Sequence, residues 1–186
     1  MKKVLILYGH TDPDDSVANK KILEVVAQQM PEAEIVTLAQ LYPDFKIDIE
    51  KEQQRLLASD IIVFEYPVFW YSCPSILHRY IEQVFQHGFS HGSTGDKLKG
   101  KKLVLSFTTG APAEMYSHDG AMGFTIDDFN DWAVATARLT QMDYCGYVYT
   151  GGVSYATRVN PEAVAEQETR SIEHASRLVE KLRSLI

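Results

Sequence analysis

The sequence contains few cysteines, few basic residues and no long apolar run. Its two cysteines, Cys73 and Cys145, are too few for a disulfide framework and lack metal-ligand spacing, so we expect small buried residues and no metal site. Lysine and arginine total 18 against 25 acidic residues, and the net charge of −7 disfavours nucleic acid as a partner. Apolar runs are far shorter than a membrane span, and no signal-peptide pattern follows Met1. We therefore expect a cytoplasmic protein.

Two common nucleotide-binding motifs are missing from the first loop, which comprises residues 9–19. This loop lacks the G-x-G-x-x-G pattern of dinucleotide-binding Rossmann sites, and it lacks the lysine of P-loop nucleotide triphosphatases. A phosphate held here would depend on free backbone amides at residues 17–19, together with His10 and the hydroxyl of Ser16. An ordinary serine helix cap is the alternative. The three aspartates of the loop would repel phosphate, so we expect them to point outward.

Short apolar segments alternate with amphipathic helical segments along the chain, of which 45% is hydrophobic. The predicted strands are Val4–Tyr8, Glu34–Thr37, Ile61–Tyr66, Lys102–Thr108 and Tyr144–Tyr149. Helical spacing predicts helices over 17–29, 50–58, 74–86, 126–141 and 161–186. Strands that alternate with helices form a parallel sheet covered on both faces. We expect one domain over residues 1–186, a flavodoxin-like three-layer α/β sandwich with strand order 2-1-3-4-5.

Three consecutive aromatic residues, Phe69, Trp70 and Tyr71, follow the third predicted strand. Loops at the carboxyl edge of a parallel sheet carry the ligand sites of α/β proteins. A simple connector would use glycine, asparagine or serine, whereas Pro67–Tyr71 has the composition of a wall for a flat ring. The alternative is that the rings fill a core or a subunit contact, and this segment alone does not decide between the two.

Two hydroxyls and a glycine, Thr108, Thr109 and Gly110, begin the loop after the fourth predicted strand. Such a start allows backbone amides to approach a ring and donate hydrogen bonds to its heteroatoms. Taken alone, the segment would be an ordinary surface loop with a turn glycine. In the predicted topology, however, the loops after strands one, three and four meet at one edge of the sheet. Together they fit a flavin better than any other common ligand.

The same loops carry a family resemblance. In order along the chain stand Tyr8-Gly9-His10 with Ser16 and Asn19, Pro67 to Tyr71 followed by Pro74, and Thr108-Thr109-Gly110 with Met115-Tyr116-Ser117. Together they resemble the DT-diaphorase-like NAD(P)H:quinone oxidoreductases over nearly the whole chain. Residues 41–49 and 84–89 look more specifically like the ancillary flavoproteins of bacterial Kef glutathione-gated potassium efflux systems.

The resemblance implies a flavodoxin-like homodimer that holds FMN, or alternatively FAD. Such an enzyme takes hydride from NADPH or NADH at flavin N5 and reduces quinones by two electrons. The second interpretation is a regulatory subunit that docks on a glutathione-gated potassium efflux transporter and activates it at the inner membrane. A one-electron carrier is a weaker third interpretation, because the first loop lacks the tight Thr/Ser/Gly composition of flavodoxin carriers.

The resemblance also assigns a cofactor site by position. The cofactor-binding residues would be His10, Ser16, Val17, Asn19, Pro67, Val68, Phe69, Trp70, Tyr71, Thr108, Thr109 and Gly110. Tyr116 falls where the family places a tyrosine near flavin and substrate, so its hydroxyl would stabilise developing charge. Met122 stands about where the animal diaphorases have the histidine that partners this tyrosine. His118 is the candidate substitute in catalysis.

Overall fold

The computed structural model describes residues 2–186, and within this range five parallel strands form the central sheet. The strands are β1 (Val4–Tyr8), β2 (Glu34–Thr37), β3 (Ile61–Pro67), β4 (Lys102–Thr108) and β5 (Asp143–Thr150). Their order is β2-β1-β3-β4-β5, which confirms the predicted flavodoxin-like topology. Every neighbouring pair is parallel. Each connection therefore crosses over a face of the sheet and returns the chain to the same edge.

Helices cover both faces of the sheet. They are α1 (Ala18–Gln29), α2 (Leu38–Leu41), α3 (Ile49–Ala58), α4 (Ser75–Val84), α5 (Asp131–Leu139) and α6 (Pro161–Leu185). The sequence patterns do not predict α2, because a single turn is too short to show helical periodicity. Tyr155–Val159 forms a 3₁₀ turn before α6. Among residues 2–186, none of these helices combines the length and the apolarity needed to cross a membrane.

Two apolar layers hold the helices on the sheet. Val4 and Ile6 of β1 pack with α1 and α6, whereas Leu5 and Leu7 belong to the layer under α3, α4 and α5. The central strand β3 is buried along its whole length, as its continuous apolar run indicates. Cys73 is buried as expected, but Cys145 is only half-buried because β5 is an edge strand.

Gly9 allows α4 to lie close to the end of β1. A methyl group at this position would lie 2.8 Å from the Cβ atom of Leu77, closer than packed carbon atoms approach each other. The backbone at Gly9 is also held in place, since its N–H donates a 2.9 Å hydrogen bond to the carbonyl oxygen of Glu65. The glycine therefore fixes where the first loop leaves the sheet.

We expect Gly9→Ala to lower the free energy of unfolding by about 1–3 kcal/mol, the usual effect of forcing a methyl group into a packed core. Urea unfolding followed by circular dichroism measures this change. Gly110→Ala is the matched control, because a methyl group there makes only ordinary contacts, the nearest with Ser154 at 3.6 Å. The control should unfold within about 0.5 kcal/mol of the parent protein. Equal losses in both variants would contradict the packing argument.

Candidate functional site

A cavity of about 430 Å³ opens at the carboxyl edge of the sheet, where α/β proteins bind their ligands. Its volume falls in the range of small-molecule sites, about 300–1,000 Å³. Nine of the predicted cofactor-binding residues line it: His10, Ser16, Val17, Asn19, Pro67, Val68, Phe69, Thr108 and Gly110. The structure thus brings together the three loops that follow β1, β3 and β4.

The start of α1 forms one end of the cavity. The first backbone amides of a helix have no partner within it and carry the positive end of the helix dipole. Ser16 lies just before the N-cap residue Val17, and its Oγ accepts a 3.3 Å hydrogen bond from the N–H of Lys20. Ser16, Val17 and Asn19 all line the cavity. This end of the cavity suits an anionic group such as a phosphate.

The ring of His10 lines the cavity and is fixed by a hydrogen bond at Nδ1. The backbone N–H of Asp12 donates to its Nδ1 at 3.0 Å, so in the neutral ring the proton resides on Nε2. Burial lowers the pKa of His10, an effect that the charges of Asp12 and Asp15 oppose. The rings of His10 and Phe69 pack edge to face, with 5.4 Å between ring centroids. A neutral His10 therefore leaves an Nε2–H that can donate to a ligand oxygen.

An ion pair joins two walls of the cavity. Arg158 pairs with Asp15 of the first loop, and its guanidinium lies 3.6 Å from the centre of the Tyr155 ring. Hydrogen bonds from Tyr155 and Arg158 lower the pKa of the Asp15 carboxyl. Asp14 is exposed as expected, but Asp12 and Asp15 line the cavity instead of pointing away from it. Because Arg158 balances the charge of Asp15, this wall repels an anion less than unpaired aspartates would.

Arg158 and Tyr155 belong to a fourth wall, residues 153–158, that the sequence analysis missed. Gln167 of α6 holds this segment in place, because its Nε2 donates to the carbonyl oxygen of Ser154 at 2.9 Å and also to Thr157. The N–H of Val153 donates to the carbonyl oxygen of Thr109 at 3.0 Å. The available signal was topological, since the segment follows β5 at the same carboxyl edge.

Thr109 and Gly110 have different roles in the loop after β4. Thr109 is buried outside the cavity, where its hydroxyl donates to the carbonyl oxygen of Ala111 and accepts from Tyr149, both at 2.8 Å. Gly110 lines the cavity, and its backbone N–H donates no hydrogen bond within residues 2–186. The protein alone leaves room for a methyl group at Gly110. Glycine at this position would let a ligand lie directly against the backbone and accept a hydrogen bond from the free amide.

Only the first of the three consecutive aromatic residues, Phe69, contributes to the cavity. Phe69 lines the cavity, whereas the side chains of Trp70 and Tyr71 do not and are 93% and 55% exposed. Both residues have left-handed backbone conformations, with φ of 51° and 65°, at the tip of a turn whose ends, Phe69 and Ser72, exchange backbone hydrogen bonds. Such a conformation costs roughly 1–2 kcal/mol per non-glycine residue. In the single chain, this strained turn directs Trp70 and Tyr71 away from the cavity they were predicted to line.

Tyr116 and His118 also lie outside the cavity lining. Tyr116 is half-buried and packs edge-on against Phe129, with 5.6 Å between ring centroids. Its hydroxyl makes no hydrogen bond to another of the described residues. His118 is exposed, with its Nδ1 at 3.9 Å from a carboxylate oxygen of Asp128. Both residues remain candidates for contact with a substrate above the cavity, and His118 is the more solvated of the two.

A buried carboxyl group lies behind the cavity. Glu65 of β3 is fully buried, and its Oε1 accepts a 2.8 Å hydrogen bond from the side-chain amide of Asn19. The Oδ1 of Asn19 in turn accepts a 3.2 Å hydrogen bond from the hydroxyl of Thr108. Burial raises the pKa of Glu65 to about 8, although the nearby Asn19 amide and Ser106 hydroxyl oppose the shift. Glu65 is therefore mainly protonated at neutral pH, and the cavity floor formed by Asn19 and Thr108 rests on a neutral group.

Known proteins resemble this chain along almost its whole length. A family model described as having a flavodoxin-like fold matches residues 2–175. The glutathione-regulated potassium-efflux system ancillary protein KefG of Enterobacter sp. is 38% identical over 163 residues, which cover 88% of this chain and 87% of that protein. The uncharacterized NAD(P)H oxidoreductase YdeQ of Bacillus subtilis is 35% identical over 176 residues, 95% of this chain and 87% of YdeQ.

A solved structure extends the likeness to three dimensions. General stress protein 14 of Treponema denticola, determined in complex with FMN, superposes with a TM-score of 0.85 at 28% identity. The superposition covers 97% of this chain and 99% of the stress protein. The sequence and structural comparisons thus agree on the same fold.

Proposed function

The chain belongs to the flavodoxin-like fold family, and we propose that it is an NAD(P)H oxidoreductase that holds FMN in the cavity at the carboxyl edge of its sheet. The observation that carries the proposal is the placement of an anion-binding helix end and the free Gly110 amide in one cavity. The similar stress protein was solved with FMN, and the relative YdeQ is named as an NAD(P)H oxidoreductase. Both support this assignment.

The residues present fit the two ends of a flavin mononucleotide. The phosphate would lie at the start of α1, where the backbone amides, the Nε2–H of His10 and the guanidinium of Arg158 are available as donors. The ring would lie between Phe69 and Gly110, whose N–H would bind its polar edge. FMN would supply the hydride chemistry. The pair Asp15–Arg158 joins the walls near the phosphate end, which favours the single phosphate of FMN over the longer FAD.

We expect the protein to bind FMN and to bind riboflavin about ten- to a hundredfold more weakly, because riboflavin lacks the group that accepts charge-assisted hydrogen bonds. Titration with quenching of flavin fluorescence measures both dissociation constants. Gly110→Ala should weaken both flavins about tenfold, since a methyl group would take the place of ring atoms. The stability of flavin-free Gly110→Ala, measured by urea unfolding, separates lost affinity from lost folding. If neither flavin binds at micromolar concentration, the assignment fails.

We propose a quinone as the electron acceptor and NADPH or NADH as the hydride donor, the two binding in turn. Two-electron reduction adds a hydride equivalent and one proton to the quinone, so charge develops on a quinone oxygen. The hydroxyl of Tyr116 makes no hydrogen bond to the described residues and is therefore available to stabilise this charge. Exposed His118 is a candidate proton donor, and Met122 cannot take that role.

We expect Tyr116→Phe to lower turnover with a soluble quinone by about ten- to a hundredfold, the effect of losing one hydrogen bond to developing charge. Affinity for FMN should hardly change, because Tyr116 lies outside the cavity lining. Stopped-flow absorbance separates flavin reduction by NADPH from reoxidation by the quinone. Unchanged rates in both half-reactions would mean that Tyr116 has no part in the chemistry.

We propose that a second copy of the chain covers an aromatic surface beside the cavity. This surface consists of Phe69, Trp70, Tyr71 and Phe124, which are 40%, 93%, 55% and 56% exposed. It is continuous, because Tyr71 and Phe124 both contact the ring of Phe129. Large exposed aromatic patches mark protein interfaces, whose cores are enriched in such residues. A homodimer would place Trp70 of each chain near the partner's ligand.

We expect the parent protein to sediment as a dimer at micromolar concentration. In Trp70→Ser the dissociation constant of the dimer should rise about thirtyfold or more, as it does when an interface loses an aromatic hot spot. Leu139→Ser is the matched control, since Leu139 is also exposed, at 62%, but lies at the end of α5 away from the cavity. The control should remain dimeric. A parent protein that sediments as a monomer with full activity would refute the dimer.

A second candidate function is regulation of a potassium efflux transporter, favoured by the 38% identity with KefG. In that role the chain would bind a glutathione-gated transporter at the membrane surface, and the two functions are compatible. Potassium efflux from vesicles that carry such a transporter, measured with and without the protein, tests it. If Tyr116→Phe stimulates potassium efflux as much as the parent protein does, regulation of the transporter does not require the quinone reductase activity.

A further inference from the structure

A buried polar cluster lies behind the cavity, between β3, β4, α1 and α6. Glu65 is at its centre and accepts the Asn19 amide hydrogen bond at 2.8 Å. Beyond it, the hydroxyl of Ser106 pairs with Nε2 of His174 at 2.8 Å, and Nδ1 of His174 pairs with the hydroxyl of Thr150 at 2.9 Å. Glu65 and His174 are both completely buried. The cluster thus links the floor of the cavity to α6, which packs beside α1 on the same face of the sheet.

None of the groups that face Glu65 within residues 2–186 is a cation. Tyr8 of β1 stands beside it in the sheet, and burial raises the pKa of that phenol. His174 of α6 is neutral, because burial, and secondarily the charge of Arg177, lowers its pKa to about 3. Arg177 itself donates its hydrogen bonds to Thr150 and to the carbonyl oxygen of Tyr149. The Oε2 atom of Glu65 has no hydrogen-bond partner in the described part of the chain.

We propose that Glu65 is a positioning residue for the cofactor: it holds the Asn19 amide in the cavity floor, and loss of its proton weakens binding of the cofactor's phosphate. This inference rests on the proposed function, since it requires a phosphorylated flavin in the cavity. Asn19 is the second residue of α1, so its side chain lies between the carboxyl group and the helix end that suits the phosphate. A change of charge at Glu65 therefore acts one side chain away from the ligand.

Electrostatics gives the direction of the effect. While protonated, Glu65 accepts the amide hydrogen bond of Asn19 and places no charge behind the phosphate. Because burial raises the pKa of Glu65 to about 8, the carboxylate forms as the pH rises from 7 to 9. Two anions that share a poorly solvated region repel each other, which lowers affinity by about tenfold or more. Reciprocally, bound phosphate must make Glu65 harder to deprotonate.

The interval from pH 7 to pH 9 isolates Glu65 from other groups at this end of the cavity. The second pKa of a phosphate monoester is about 6, so the phosphate of FMN is already doubly charged at pH 7. His10 is already mainly neutral at pH 7, because burial lowers its pKa from the ordinary histidine value despite the opposing charges of Asp12 and Asp15. The pKa of Tyr155 is raised from its ordinary value of 10.0, mainly by its hydrogen bond to Asp15, so this phenol stays protonated.

The experiment is a fluorescence titration of the parent protein with FMN and with riboflavin at intervals from pH 7 to pH 9. We expect the dissociation constant for FMN to rise about tenfold over this interval, while that for riboflavin, which lacks the phosphate, stays constant. In Glu65→Gln the FMN profile should become flat, because glutamine keeps an oxygen that accepts from Asn19 but cannot ionise. Circular dichroism at each pH checks that both proteins stay folded.

The titrations test the inference about Glu65 separately from the proposed binding of FMN. Three results would overturn the inference about Glu65. They are an FMN dissociation constant that does not change with pH in the parent protein, a riboflavin dissociation constant that rises as steeply as that of FMN, and an FMN dissociation constant that rises as steeply in Glu65→Gln as in the parent protein. The FMN and riboflavin profiles of the parent protein decide it even if the variant fails to fold. Absence of FMN binding at pH 7 overturns the proposed function and this inference with it, whereas binding that ignores pH overturns only the inference.

Discussion

The burial of β3 on both faces is the constraint on which the rest of the structure depends. All seven of its residues are buried, so helices must cover the sheet on each side. Helices on both faces require crossover connections, and these return every strand in the same direction. The loops after β1, β3, β4 and β5 consequently meet at one edge, which is where the cavity lies. Packing of the sheet interior thereby determines the position of the site.

A chain with a net charge of −7 needs a local solution to hold an anion. The structure combines several small ones at one end of the cavity: the first amides of α1, a neutral histidine whose Nε2–H is available to donate, and Arg158 beside Asp15. Glu65, the carboxyl group nearest to the cavity floor, is neutralised by burial rather than by a counter-charge. Electrostatic repulsion is thus reduced close to the ligand while the surface remains acidic.

Sequence patterns predict most of the fold, because each strand and each long helix carries its own periodic signal. They also predict the three walls whose unusual residues follow directly after strands. The fourth wall is missed, because its position depends on Gln167, which reaches back along the chain from α6 to Ser154. The outward direction of Trp70 and Tyr71 is missed because nothing local marks a left-handed turn without glycine. Glu65 follows a run of apolar residues in β3, and its protonation state depends on burial and on tertiary partners that the sequence does not show.

The turn at Trp70 and Tyr71 combines a strained backbone with two exposed aromatic side chains. Two aromatic residues occupy left-handed backbone conformations, which cost roughly 1–2 kcal/mol for each residue other than glycine. Glycine at both positions would relieve this strain, as in an ordinary two-residue hairpin, but it would also add conformational freedom to the unfolded chain. A chain with glycine at both positions would lack the two exposed rings beside the cavity. Because strained backbone is concentrated at functional surfaces, the turn favours a role for this rim of the cavity beyond folding.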